Sequence, residues 1–268
     1  MRKIILGVTA LAVAVTALAT AAPALAGGKP PSRSWSTCQP YFRRTISGPW
    51  GAYIVRDDVF TIPGQPSPTV CISHKKGQPT FTVTKSTADS SGPSVAYPEV
   101  FYGCVYGACS PGSVLPMAVS KLPRSFRFSA YDRLTAKWRK GKFDTGFDIW
   151  FSTSRSTGGQ ATGAEIMIWL TDRGVRFTPE WTVTIDGIRW LAEEWKTVHP
   201  NGLSWPLIIF LRQKPSGYCH RLHLSPFVRF GEQRKWIART DWLESVEHGY
   251  EIWQGGSHLA TTFFRVIP

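Results

Sequence analysis

Three stretches set a carboxylate and a tryptophan at positions of the same parity. They are Phe147-Asp148-Ile149-Trp150-Phe151, Glu165-Ile166-Met167-Ile168-Trp169-Leu170 and Gly249-Tyr250-Glu251-Ile252-Trp253-Gln254. Each is rich in β-branched and aromatic residues, as strands are. Side chains of a strand alternate between its faces. Asp148 then shares a face with Trp150, Glu165 with Met167 and Trp169, and Glu251 with Trp253. A lone carboxylate is costly to bury, so these faces are expected to floor a groove and not to fill a core. Indole rings give flat apolar surface with one polar handle. Carboxylates beside stacking rings suit a hydroxylated, flat-faced ligand such as a sugar chain. Two carboxylates flanking a glycosidic bond suffice to cleave it: one attacks the anomeric carbon, the other protonates the leaving oxygen and later activates water. In the retaining form they sit about 5–5.5 Å apart. The acid must keep its proton near neutrality, which a neighbouring negative charge favours. Asp148 is placed to share a proton with a nucleophile on the next strand.

Such faces need a sheet to hold them. Strand-like runs recur over residues 51–60, 69–73, 80–85, 126–131, 143–152, 164–171, 181–185, 188–195, 206–211, 242–253 and 259–266. Gly, Pro and Asn punctuate them, and Asp186-Gly187 between two alternating runs is a hairpin signal. Many short strands at this spacing predict an all-β sandwich. Only residues 224–235 have helical character, with Pro226 near the start. No repeat or linker divides the chain.

Residues 1–26 read as a signal peptide. Arg2 and Lys3 precede an apolar run, and Ala24-Leu25-Ala26 is a small-x-small cleavage site. Residues 27–34 are a short flexible leader, and residues 35–268 the domain. A secreted, extracellular protein is expected, with no membrane segment after cleavage. The net charge is +13, and losing Arg2 and Lys3 leaves +11. The basic residues are scattered, and no nucleic-acid-binding motif occurs, so no nucleic-acid partner is expected. The charge reads as a solubility or wall-adhesion feature. At 18% charged residues and 13% aromatics, a disordered chain is excluded.

Five cysteines in an oxidising compartment should pair. Cys104 and Cys109 flank a tight loop and are expected to bridge. Cys38 and Cys71 would then tie the first strand to its neighbour, leaving Cys219 over. No Cys or His pair has zinc spacing, so no metal is expected. His199, His220, His223 and His258 show no pairing of the kind a triad or metal site needs. Acid/base hydrolysis needs only water, so no cofactor is implied.

The chain from about Trp50 onward resembles glycoside hydrolase family 12. Tyr53-Ile54-Val55, Cys71-Ile72-Ser73, Phe81-Thr82-Val83, the run from Ala96-Tyr97-Pro98-Glu99 to Cys104, Leu115-Pro116 and Phe147 to Phe151 occur in family order. Glu165 to Leu170 and Gly249 to Gly256 resemble the nucleophile and acid/base strands. The resemblance implies a β-jelly roll of two curved antiparallel sheets with a concave cleft. It implies one catalytic domain that cleaves internal β-1,4 bonds of glucans with retention. Glu165 would be the nucleophile, Glu251 the general acid/base, and Asp148 the acid bonded to the nucleophile. Asp58, Phe60, Trp150, Met167, Trp169 and Trp253 would bind a β-glucan. The two cysteine pairs match disulfides of bacterial members, and a monomer is the expected state. There are departures. Asp57-Asp58-Val59-Phe60 stands where the family has Asn-Asn-x-Trp, and Tyr106 where it has Trp. Phenylalanine offers a smaller stacking face, and Asp cannot donate as Asn can. The contrasting expectation is a non-catalytic carbohydrate-binding or wall-associated jelly roll.

Overall fold

A computed structural model of the chain describes residues 33–48, 51–62, 64–76, 80–133, 141–155, 157–198 and 204–268. The expected signal peptide, most of the expected leader, and His199 lie outside the described residues. In chain order the strands are β1 Trp35–Thr37, β2 Arg43–Gly48, β3 Gly51–Arg56, β4 Val70–His74, β5 Phe81–Ser86, β6 Ala88–Asp89, β7 Glu99–Val105, β8 Ala108–Cys109, β9 Met117–Ala118 and β10 Arg127–Asp132. They continue with β11 Gly141–Ser152, β12 Glu165–Arg173, β13 Trp181–Ile185, β14 Ile188–Val198, β15 Ser204–Arg212, β16 Tyr218–His223, β17 Trp242–Gly249, β18 Ile252–Gly255 and β19 Ala260–Ile267. The α-helix among the described residues is α1, Leu224–Gln233.

The strands form two sheets in a jelly-roll sandwich. The smaller runs β1-β4-β5-β19-β10-β16, and the larger β13-β14-β15-β12-β11-β17-β7-β3-β2 with β6, β8, β9 and β18 attached beside this path. Pairing is antiparallel except between β12 and β15, which run parallel. Alternation explains the core. Ile166, Ile168 and Leu170 of β12 and Phe147, Ile149 and Phe151 of β11 point between the sheets and are fully buried. They meet Phe128 and Ala130 of β10 and Phe264 and Val266 of β19 in one cluster. The other face of β12 carries Glu165, Met167 and Trp169. That face is far less open than a groove floor was expected to be: Met167 and Trp169 pack with Leu207 and Ile209 in a second apolar cluster.

Asp186 and Gly187 both take positive φ and join β13 to β14, the hairpin geometry that their types predict. Pro226 sits in the first turn of α1, where its missing N–H is no loss. The helix lays Phe227 and Phe230 edge-on against Phe210, and Phe227 also against Trp190. Gly146 and Gly249 face each other across the β11–β17 ladder. A Cβ on Gly146 would stand 2.4 Å from the Ile168 carbonyl, and one on Gly249 2.4 Å from that of Pro98. Side-chain-free positions therefore let the backbones close up beside the bulge of β12, where Leu170 is extra between the partners of Thr145 and Gly146.

The run expected as one strand over 242–253 is two. β17 stops at Gly249 and β18 starts at Ile252, with Glu251 in the gap. Both flanks keep one register on β11, Gly146 with Gly249 and Phe143 with Ile252. Glu251 and Trp253, expected on one face, both line the cleft, although β18 slips by one residue on β11 at Trp253. Cys38 is bonded to Cys71 and Cys104 to Cys109, and Cys219 is free and buried. Among the described residues no helix is long and apolar enough to cross a membrane.

Candidate active site

Strand register gathers the acids. On β11, Asp148 lies opposite Met167 of β12 on one side and Glu247 of β17 on the other, and Trp150 lies opposite Glu165. The face they share floors a cleft of about 780 Å³. All nine residues expected at the site, from Asp58 and Phe60 to Trp253, line this cleft. They come from β11, β12, β18 and the segments after β3 and β17.

Glu165 is 7% exposed. The indole Nε1 of Trp205 donates to Glu165 Oε2 at 2.7 Å, and Asp148 bonds it as well. Two carboxyl groups bond only when one keeps a proton. Burial pushes both above the usual carboxylate range; the Glu165 charge pushes Asp148 further, while the Trp205 and Asp148 bonds pull Glu165 back. Asp148 is pushed furthest, and its Oδ1 has no donor among the described residues. Of the two, Glu165 has the N–H donor that favours its charged form and is the one that ionises first.

Glu251 has a different setting. Burial raises it, while bonds from Ser94 and Asp144 hold it down. The Ser94 hydroxyl donates to Glu251 Oε1 at 2.8 Å. The Asp144 N–H donates to the Glu251 carbonyl at 3.1 Å, and the two carboxyls meet. Asp144 is raised well above the usual range, first by burial and then by Glu251, and neither of its oxygens finds a donor. It keeps its own proton against Glu251. The Glu251 charge in turn raises Glu165, so the two groups sense each other across the cleft.

A third acid pair, Glu99 with Glu247, lies beside these. Burial, then the Glu247 charge and bond, push Glu99 up against the opposing pull of Arg56. Arg56 pairs with Asp58 at 2.8 Å and with Glu99. Burial alone would lower Arg56; Asp58 and Glu99 outweigh it and keep the guanidinium charged. Its charge also sits 5.7 Å above the ring of Tyr106, which is 42% exposed at the cleft rim. The two positions where the chain departs from the family pattern thus meet through one arginine.

The rings are not equivalent. Trp150 stands edge-on to Trp205 at 5.5 Å, and Lys142 lies over Trp253 at 5.4 Å. Trp169 is 1% exposed and packs against Phe177, so it reaches the cleft only at an edge. Trp205, Ser94, Asp144 and the Arg56–Glu99 pair were not anticipated from the sequence. Trp205 reaches Glu165 only through the parallel β12–β15 pairing, which no local pattern encodes. Asp144 did carry a signal: it has the parity of Asp148 in the same run. Among the described residues no group of His, Cys, Asp or Glu is arranged to hold a metal.

No protein-family model matches the chain. Its fold is that of the jelly-roll endoglucanases and xyloglucanases. More narrowly, it is similar in fold and in sequence to glycoside hydrolase family 12. The endoglucanase Cel12A from Rhodothermus marinus is 29% identical, with a TM-score of 0.76 over 87% of this chain and 97% of that one. A metagenome-derived family 12 endoglucanase is 27% identical over the same shares, again at 0.76. A family 12 xyloglucanase from Bacillus licheniformis shares the fold at 0.76 over 88% of this chain and 99% of that one, at 19% identity. Endoglucanase S of Pectobacterium parmentieri is 26% identical over 130 residues, 47% of this chain and 49% of that protein. The match thus spans about half the length of that curated relative.

Proposed function

We propose that the chain is a secreted, monomeric, retaining endo-β-1,4-glucanase that cleaves internal bonds of a neutral β-glucan. The observation that carries this reading is the pair Glu165 and Glu251: two acids far apart in the chain that line one cleft. Glu165 is the nucleophile. The Trp205 N–H and the proton on Asp148 stabilise its charge and aim it at the anomeric carbon. Glu251 is the general acid/base. It gives its proton to the leaving glycosidic oxygen as the bond from C1 to Glu165 forms. It then takes a proton from the water that releases the sugar.

The substrate class follows from the lining. Seven carboxyl side chains and three basic ones face the cleft. An anionic polymer would be repelled there despite the chain's net charge of +13. A neutral glucan, stacked on Trp150, Trp253 and Phe60, fits better. The excess positive charge lies outside the cleft, where it suits adhesion to an acidic wall. Two disulfides fit an oxidising, extracellular setting. The deciding experiment is reducing-end release from barley β-glucan and from xyloglucan by the parent and by Glu165→Gln and Glu251→Gln. Each variant should lose at least about 10²-fold. Unchanged hydrolysis by either variant refutes the assignment, and binding without cleavage by the parent favours a non-catalytic jelly roll.

A further inference from the structure

β17, which carries Glu247, and the segment after it, which carries Glu251, turn their other face toward the space between the sheets. There they meet one buried carboxylate from the opposite sheet, Asp132 at the end of β10, whose side chain is 0% exposed. Asp132 Oδ1 accepts from the Tyr250 hydroxyl at 2.8 Å, from His248 Nε2 at 2.9 Å and from Thr261 Oγ1 at 3.2 Å. Its Oδ2 accepts from Thr145 Oγ1 at 2.5 Å. Three of these donors are chain neighbours of the cleft acids Glu247 and Glu251 or of Asp144, which backs Glu251. Thr145 follows Asp144, His248 follows Glu247, and Tyr250 precedes Glu251. Alternation makes this possible, since adjacent residues of a strand point to opposite faces.

The network sits beneath the break in the larger sheet. Glu251 lies in the gap between β17 and β18. Around it the main chain is held by Asp144 N to the Glu251 carbonyl at 3.1 Å and Ile252 N to the Ala96 carbonyl at 2.9 Å, while the Tyr250 N to Pro98 carbonyl bond is longer at 3.3 Å. The surroundings of the network are apolar, with Phe147 and Phe264 against the His248 ring. An all-apolar filling would serve packing alone at least as well as a buried charge that must find donors. Directed bonds do what apolar contact does not: they fix distance and angle between the sheets.

We infer that Asp132 is a positioning residue for Glu251, holding Tyr250 from beneath so that the carboxyl stays against Ser94 and Asp144. The inference rests on the reading of Glu251 as acid/base, and the test separates the two. The probe is 2,4-dinitrophenyl β-cellobioside, whose leaving group departs without a proton. In the parent it should give a burst of dinitrophenolate, as Glu165 displaces the phenolate, followed by turnover. With Asp132→Asn the burst rate should stay within about threefold, because that step needs no acid. Turnover and barley glucan hydrolysis should fall about 10- to 100-fold, as expected of a misplaced general acid/base. Azide, a nucleophile that needs no base, should restore turnover. Tyr250→Phe, which removes only one hydroxyl, should show the same pattern more weakly and guards against an unfolded Asp132→Asn. An equal fall in burst and turnover, or no change in either variant, overturns the positioning role. A parent that releases no dinitrophenolate and no sugar from glucan overturns the hydrolase reading itself, and this inference with it.

Discussion

Trp205→Phe removes one hydrogen-bond donor from the nucleophile. The indole N–H lies 2.7 Å from Glu165 Oε2, and both side chains are buried. Phenylalanine keeps an aromatic edge against Trp150, which stands 5.5 Å away. A hydrogen bond to a charged group contributes about 1.5–3 kcal/mol. The bond exists in full only while Glu165 is ionised, so its loss favours the protonated form. At about 1.4 kcal/mol per pH unit, the acidic limb of kcat/KM should move up by about one to two units. Rates measured below that limb should fall about 10- to 100-fold, while the alkaline limb, set by the proton on Glu251, stays in place. The assay is a pH profile of kcat/KM on barley glucan for parent and variant, with circular dichroism to confirm the fold. An acidic limb that does not move, or a uniform loss at every pH, refutes the idea that Trp205 stabilises a charged Glu165.

Ser94→Ala deletes the hydroxyl that donates to Glu251 at 2.8 Å and favours its ionised form; the alkaline limb should shift upward, and a downward shift in the pH profile would contradict the assignment. Asp57 is fully buried with no donor at either oxygen, and burial, then the Asp58 charge, push it up to about 7. A raised carboxyl lends stability that is complete below its unfolded value near 4 and is lost as pH rises through 7. Asp57→Asn should therefore raise Tm at pH 8 and change it little at pH 4, and melting curves showing the gain at the acid end would be inconsistent with this. Gly103 has a φ of +116°, and an added Cβ would stand 2.2 Å from the Glu244 carbonyl. Gly103→Ala should force β7 and β17 apart and cost several kcal/mol, read as a collapse of soluble yield or a large drop in Tm.

Alternation carried the strands with one wet and one dry face. β12 is the clear instance: Ile166, Ile168 and Leu170 announce the core, and Glu165, Met167 and Trp169 the opposite side. β7 gives no such signal because all seven of its residues are buried, so no period of two appears in Glu99-Val100-Phe101-Tyr102-Gly103-Cys104-Val105. The break at Tyr250-Glu251 is equally silent, because both flanks hold the same register on β11. The acids on each strand were legible from parity and from the family resemblance. Their partners were not. Trp205 depends on a parallel pairing of strands forty residues apart, Ser94 on a loop, and Asp132 on how one sheet lies over the other. The depth of the cleft floor was also hidden. Glu165 looked too costly to bury alone, and it is buried because Trp205 and Asp148 accompany it.

The most direct measurement is to trap the nucleophile. A 2-deoxy-2-fluoro cellobioside with a dinitrophenyl leaving group forms the glycosyl–enzyme bond and hydrolyses slowly. Mass spectrometry of the digested protein should then find one fluorocellobiosyl adduct on the peptide that contains Glu165. It should vanish in Glu165→Gln and persist in Glu251→Gln. An adduct on any other residue, or no adduct from a protein that hydrolyses glucan, would contradict double displacement at Glu165.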